Sequence, residues 1–184
     1  MIIDRQDIKL YHASYMIVDT VDLSYCKNIN DFGQGFYLTT DKNQAERFVR
    51  TAIIKSGQKL KRGYVNIFNL GSLNNLHTYE FETTNDRWLH CVCAHRKPKL
   101  FSQEVAEWDS YEVLAGKIAN DDTMTTLTIY LQGGYGEIGS PEAVNTAISV
   151  LKPQNLKDQI CLRTDKAINA ISFMDAYEVK YGKQ

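Results

Sequence analysis

The sequence predicts an α+β fold, one domain over residues 1–184 in which strands and helices mix without regular βαβ alternation. Three observations predict it. Segments that alternate apolar and polar residues are interleaved with segments of three-to-four helical periodicity, but not in strict turn. Three prolines and eleven glycines are scattered, with no repeat, low-complexity tract or linker to divide the chain. At 184 residues, 43% hydrophobic and 23% charged, the composition is that of a globular domain. A chain of this length buries roughly two-thirds of its unfolded surface.

The elements follow in chain order. Ile8-Lys-Leu-Tyr-His12 alternates and reads as a short strand ending at His12. Residues 15–30 are irregular and rich in Asp. Gly35-Phe-Tyr-Leu-Thr39, aromatic and entered through Gly33-x-Gly35, reads as a second strand. A helix is expected after it: Thr40 and Asp41 offer an N-cap, and Ala45, Phe48, Val49 and Ala52 recur at the spacing that buries one helical face. Residues 63–70 alternate over their full length and read as a strand. Residues 84–96 open on capping side chains and close on basic ones, which predicts a helix. A strand over 111–118 leads into Asn120-Asp-Asp122, a cap for a helix that stops at Gly133-Gly134. Pro141, at a first helical position where its missing N–H costs nothing, starts a helix through Leu151. Residues 159–163 read as strand, 165–171 as a short helix and 172–180 as a closing strand.

The formal net charge of -1 leaves no global field to attract nucleic acid or an anionic membrane. The one local basic cluster, Lys55-Ser-Gly-Gln-Lys-Leu-Lys-Arg62, matches a solvated loop better than a binding patch. The N-terminus lacks a basic stretch followed by an apolar one, and no segment approaches the roughly 18 apolar residues of a membrane span, so a cytoplasmic protein without membrane association is expected. Four cysteines, Cys26, Cys91, Cys93 and Cys161, suggest no disulfide framework. Cys91-x-Cys-x-His95 has metal-ligand types, but on a helix Cys93 points away from the other two, and no metal is predicted.

Gly33-x-Gly35 is not a dinucleotide fingerprint of the Rossmann kind, which needs a strand before it, a helix directly after it and a third glycine. Here the glycines lead into a strand, so they let the backbone approach a ligand or a neighbouring chain and project Tyr37.

Three blocks in order, Leu10-Tyr-His-Ala-Ser14, Gly33-Gln-Gly-Phe-Tyr-Leu-Thr39 and Asp158-Gln-Ile-Cys-Leu162, resemble the ADP-ribosyltransferase fold of diphtheria-toxin-like toxins and poly(ADP-ribose) polymerases. Tyr11-His12, the segment 31–40, Gln44-Ala45, the segment 111–122 and Leu151-Lys-Pro-Gln154 look like an uncharacterised bacterial family, DUF3990, grouped with those transferases. The resemblance implies a split mixed β-sheet with flanking helices and an NAD cleft. It also implies a mono-ADP-ribosyltransferase that releases nicotinamide and passes ADP-ribose to a protein or nucleic acid, as a bacterial toxin or effector would.

NAD would be a co-substrate. His12 would bond the adenosine-side ribose, Ser14 the nicotinamide ribose or amide, and the Ala13 backbone the carboxamide. Gly35 would admit the ligand, while Tyr37 and Phe48 would cover the two faces of the nicotinamide ring. Arg87, Arg96 or Lys99 could reach the pyrophosphate. Breaking the ribose C1'–nicotinamide bond passes through an oxocarbenium-like state, which favours a nearby negative charge and a base for the acceptor. Relatives place a glutamate there, whereas this chain has Gln159. Asp121 and Asp122, with Asp158 next, are the replacement carboxylates to consider, and Gln159→Glu is expected to raise turnover. The alternatives are a non-catalytic NAD or ADP-ribose binding module, or an NAD glycohydrolase in which water is the acceptor.

Overall fold

A computed structural model describes residues 2–27, 30–118, 121–151 and 156–180, with the backbone alone at Ser102, Glu104, Asp121 and Asp122. It is a mixed α+β structure with two sheets and, among the described residues, six α-helices. The strands are β1 (Ile8–Ser14), β2 (Phe36–Leu38), β3 (Arg62–Leu70), β4 (Thr78–Glu80), β5 (Val113–Lys117), β6 (Asp158–Leu162) and β7 (Ile171–Lys180). The helices are α1 (Lys42–Ser56), α2 (Asp86–Arg96), α3 (Ser102–Asp109), α4 (Asp121–Leu131), α5 (Pro141–Leu151) and α6 (Asp165–Ile168).

One sheet has the order β1-β3-β7 and is antiparallel throughout. The other has the order β2-β6-β5-β4 and is mixed, with β4 parallel to β5 and the remaining pairs antiparallel. The sheets touch through a two-bond bridge between Tyr11 and Thr39, at 2.8 and 3.0 Å, so β1 and β2 lie side by side for one residue pair.

Period-two alternation sorts the strand residues onto opposite faces. Leu10, Phe36, Leu38, Phe68, Val113, Ile160 and Leu162 share a core on one side. Leu114 and Cys161 face the other way, into a core shared with Trp88, Leu89 and Val92 of α2, Leu127 of α4 and Ala147 of α5. A third, smaller core of Ala45, Val49, Ile53 and Val65 seats α1 on β3. Each large side chain so buried contributes on the order of 2 kcal/mol.

Several boundaries differ from the sequence reading. β1 runs on to Ser14, because pairing with β3 continues through Ala13↔Val65 and Ser14↔Tyr64, so His12 lies inside the strand rather than at its end. In α1 the buried apolar face is Ala45, Val49 and Ile53, at a spacing of four, and Phe48 is 36% exposed. Asp41, not Thr40, is the cap, accepting a hydrogen bond from Gln44 N at 3.0 Å. α2 opens later than residue 84, with Asn85 accepting from Trp88 N at 3.0 Å. β4 and α3 have no counterpart among the elements legible in the sequence. Three residues of β4 are too few to show alternation, and α3 starts after Phe101 with no side-chain cap to announce it.

Candidate functional site

The site lies where the two sheets meet. A cavity of about 350 Å³ is bounded by His12 and Ala13 of β1, Tyr37 of β2, Phe48 of α1, Arg96 of α2 and Gln159 of β6, together with Asp31 from the loop before β2. A larger cavity of about 830 Å³ adjoins it, sharing His12, Asn30, Tyr37 and Lys55, and is walled by the loop over residues 15–27.

His12 is held by its backbone register and by one bond: Nδ1 lies 2.8 Å from the carbonyl oxygen of Tyr37. A carbonyl only accepts, so the ring proton sits on Nδ1 and Nε2 keeps its lone pair. No hydrogen bond among the described residues uses that Nε2, and the ring packs on Phe36 at a centroid distance of 4.2 Å. Burial holds the His12 pKa below 6.5, against the opposing pull of the Tyr37 carbonyl. That shift favours the neutral imidazole near neutral pH, with Nε2 as an acceptor.

Tyr37 is anchored at its far end. Its hydroxyl donates to the Gly33 carbonyl at 2.8 Å and accepts from Phe32 N at 2.9 Å, which fixes the ring against the preceding turn. Burial raises the phenol pKa well above 10, so the ring stays neutral. The two glycines that form this turn serve neighbouring chain. Gly33 has φ 77, and a Cβ there would come within 2.5 Å of the His95 ring. A Cβ on Gly35 would collide with Cys161 Sγ and stand 2.7 Å from the Leu162 carbonyl oxygen. Gly35 also borders the larger cavity, but the close approach of β6 is what demands glycine.

Gln159 projects from the helix-covered face of its sheet and is 3% exposed. Its Nε2 donates to Asp31 Oδ2 at 2.9 Å and to the Lys117 carbonyl at 3.3 Å. Asp31, 5% exposed, accepts from Arg96 Nε at 3.0 Å and from Arg96 Nη2, both on Oδ1. A chain of polar contacts thus runs from α2 through the Asp31 loop to β5 and β6. In the sequence Asp31 stands out only as the start of the Gly-x-Gly segment. Among the described residues, its carboxylate is the one hydrogen-bonded to Gln159, from 128 residues away along the chain.

The other expected residues fall out as follows. The Ser14 hydroxyl accepts from Met16 N at 3.3 Å and lines the larger cavity, while Ala13 lines the smaller one. Asp158 points to the opposite face of β6 from Gln159 and pairs with Lys117 at 2.8 Å, so it does not enter the cavity. Asp121 and Asp122 begin α4, but their side chains lie outside the described residues, as do residues 152–154 of the last resembling segment. Of the three cations considered, Arg96 borders the cavity. Arg87 instead sits over the Tyr79 and Trp108 rings and pairs with Glu107.

Lys55, at the head of the basic cluster, lies in the last turn of α1 and borders both cavities. The irregular stretch 15–27 walls the larger cavity, with Met16, Ile17 and Tyr25 exposed. The stretch 73–85 forms β4 and its flanks and borders neither cavity. None of the four cysteines is in a disulfide, and burial pushes the Cys93 and Cys161 thiols up to about 12. In α2, His95 Nδ1 donates to the Cys91 carbonyl at 2.8 Å, a bond within the helix. Among the described residues no cluster of three or more His, Cys, Asp or Glu is arranged to hold a metal, and no helix is long and apolar enough to cross a membrane.

Neither a curated protein nor a solved structure matches the chain. The model of a family described as "Protein of unknown function (DUF3990)" matches residues 8–173, which include His12, Asp31, Tyr37, Phe48, Arg96 and Gln159. The chain belongs to the DUF3990 family.

Proposed function

We propose that this protein binds NAD in the paired cavities and transfers ADP-ribose to a macromolecular acceptor with release of nicotinamide. The fold would then be of the ADP-ribosyltransferase kind, with its NAD cleft at the junction of the two sheets. The observation that carries the reading is the convergence of His12, Tyr37 and Gln159, one from each of three separate strands, on a cavity at that junction. Their chemistry suits the two ends of NAD. His12 Nε2 is an acceptor for a ribose hydroxyl, and Tyr37 with Phe48 offers aromatic surface to a planar leaving group. Aromatic packing of that kind contributes roughly 0.5 to 1.5 kcal/mol beyond burial. Arg96 and Lys55 supply positive charge on the same walls, and the adjoining 830 Å³ cavity gives room for the second half of a dinucleotide and for the acceptor.

Bond breaking sends the C1'–N bonding pair to the nicotinamide ring, which leaves neutral, while positive charge passes to the ribose. The acceptor nucleophile then attacks C1' and gives up its proton. Gln159 can hold a ribose hydroxyl but cannot take that proton, which favours NAD or ADP-ribose binding without turnover as the second reading.

Incubation with labelled NAD, with and without cell lysate or nucleic acid, separates these outcomes. Nicotinamide release together with label transfer is expected. Release without an acceptor would mean NAD hydrolysis, and saturable binding without release the non-catalytic reading. Titration calorimetry showing no NAD binding by the intact protein would overturn the proposal.

A further inference from the structure

We propose that Asp31 is a positioning residue that locks the Gln159 amide with its oxygen toward the cavity, so that the pair together presents one fixed acceptor to a ligand hydroxyl. The inference rests on the NAD reading for the identity of that hydroxyl, a ribose one. It rests on the geometry alone for the lock.

The amide nitrogen of Gln159 has two hydrogens, and both are used. One goes to Asp31 Oδ2 at 2.9 Å and the other to the Lys117 carbonyl at 3.3 Å. Both partners only accept, so the nitrogen and not the oxygen must face them. Oε1 is left on the opposite side, and no hydrogen bond among the described residues engages it. Gln159 borders the cavity. Without Asp31 the amide could turn over, offering a donor instead of an acceptor at almost no steric cost. Arg96 fixes Asp31 in turn, holding Oδ1 through two nitrogens and leaving Oδ2 for the amide. His12 presents a second neutral acceptor, Nε2, to the same cavity. Two neutral acceptors on the wall of one cavity match a group that donates, such as a ribose diol.

This changes what Gln159→Glu does. A glutamate there would put a carboxylate oxygen about where Nε2 now stands, 2.9 Å from Asp31 Oδ2. Two carboxylates that close do not both ionise, so one takes up a proton. The exchange Asp31→Asn with Gln159→Glu would restore a single amide-to-carboxylate bond with the roles reversed. Among the described residues, Arg96, Tyr37, Cys91, His95 and Cys161 feel the Asp31 charge, and they are unchanged in all four proteins.

The test is a double-mutant cycle over wild type, D31N, Q159E and D31N/Q159E, read in two ways. Without ligand, the thermal midpoint is followed from pH 8 to pH 5. Relative to wild type at each pH, Q159E alone should gain stability as the pH falls, because acid supplies the missing proton, and D31N/Q159E should follow the wild-type pH profile. With NAD, each single change should weaken binding by roughly tenfold or more, and the double change should recover most of it. Single changes whose effects on the midpoint simply add, or a Q159E protein that binds NAD as well as wild type at neutral pH, would overturn the proposal. In either case wild-type NAD binding leaves the functional reading standing. Coupling in the midpoints with no NAD binding by wild type would instead remove the functional reading, and with it the ribose-facing role given to Oε1.

Discussion

Tyr37 shows how one residue divides its work between two atoms. The hydroxyl ties the Gly33 turn together, and the ring forms cavity wall. Tyr37→Phe should therefore cost about 1–3 kcal/mol of stability, since Phe32 N–H and the Gly33 carbonyl lose a partner, while NAD affinity stays within about threefold. Tyr37→Ala should lower both. Thermal denaturation and calorimetry on the two variants separate the roles, and equal losses of affinity in both would argue against a stacking ring. That Tyr37 lies on a strand behind the Gly-x-Gly turn could be read from sequence, whereas His12 reads as a strand end and lies inside β1. The importance of Asp31 could not, because its meaning comes from Arg96 and Gln159, each brought to it by folding.

At the scale of elements, the site depends on how closely β2 packs on β6. Phe36↔Leu162, Tyr37↔Cys161 and Leu38↔Ile160 set the register that places Tyr37 and Gln159 on one face. Gly35 sits at the start of this pairing, with Cys161 Sγ and the Leu162 carbonyl where a side chain would go. Gly35→Ala should push the strands apart and cost about 1–3 kcal/mol, the usual penalty of overpacking. Urea denaturation measures it, and a midpoint within error of wild type would show that the strand gap is slack. Long alternating or capped segments such as β3 and α5 carry their own signal. β4 does not, because a three-residue strand exists only through its neighbour β5.

For the molecule as a whole, protonation links the site to stability. In the folded protein burial holds the pKa values of His12 and His95 below 6.5, whereas the unfolded chain titrates at the ordinary value. The unfolded state therefore takes up protons first as the pH falls. The stability due to these neutral histidines is complete above about pH 6.5 and declines below it. Asp41 and Glu112, held below 3.8 and 4.5 by backbone N–H donors, add a loss of the same sign in more acid solution. A thermal midpoint that drops between pH 7.5 and pH 5.5 is expected, and His95→Gln should flatten the drop. A midpoint flat or rising over that interval in the wild-type protein would contradict it.

The sequence by itself determined the mixed α+β class, most of the elements, the neighbourhoods of the α1 and α2 caps and the Gly-x-Gly turn, because alternation, helical period and capping are local properties of neighbouring residues. Only the tertiary structure decided that β1 and β2 join two sheets at one residue pair, that α1 turns Ile53 inward and Phe48 toward the cavity, and that Asp31 holds Gln159. Those are matters of register and packing between segments far apart in the chain, and a strand's partner, unlike its periodicity, is fixed by the side chains it meets.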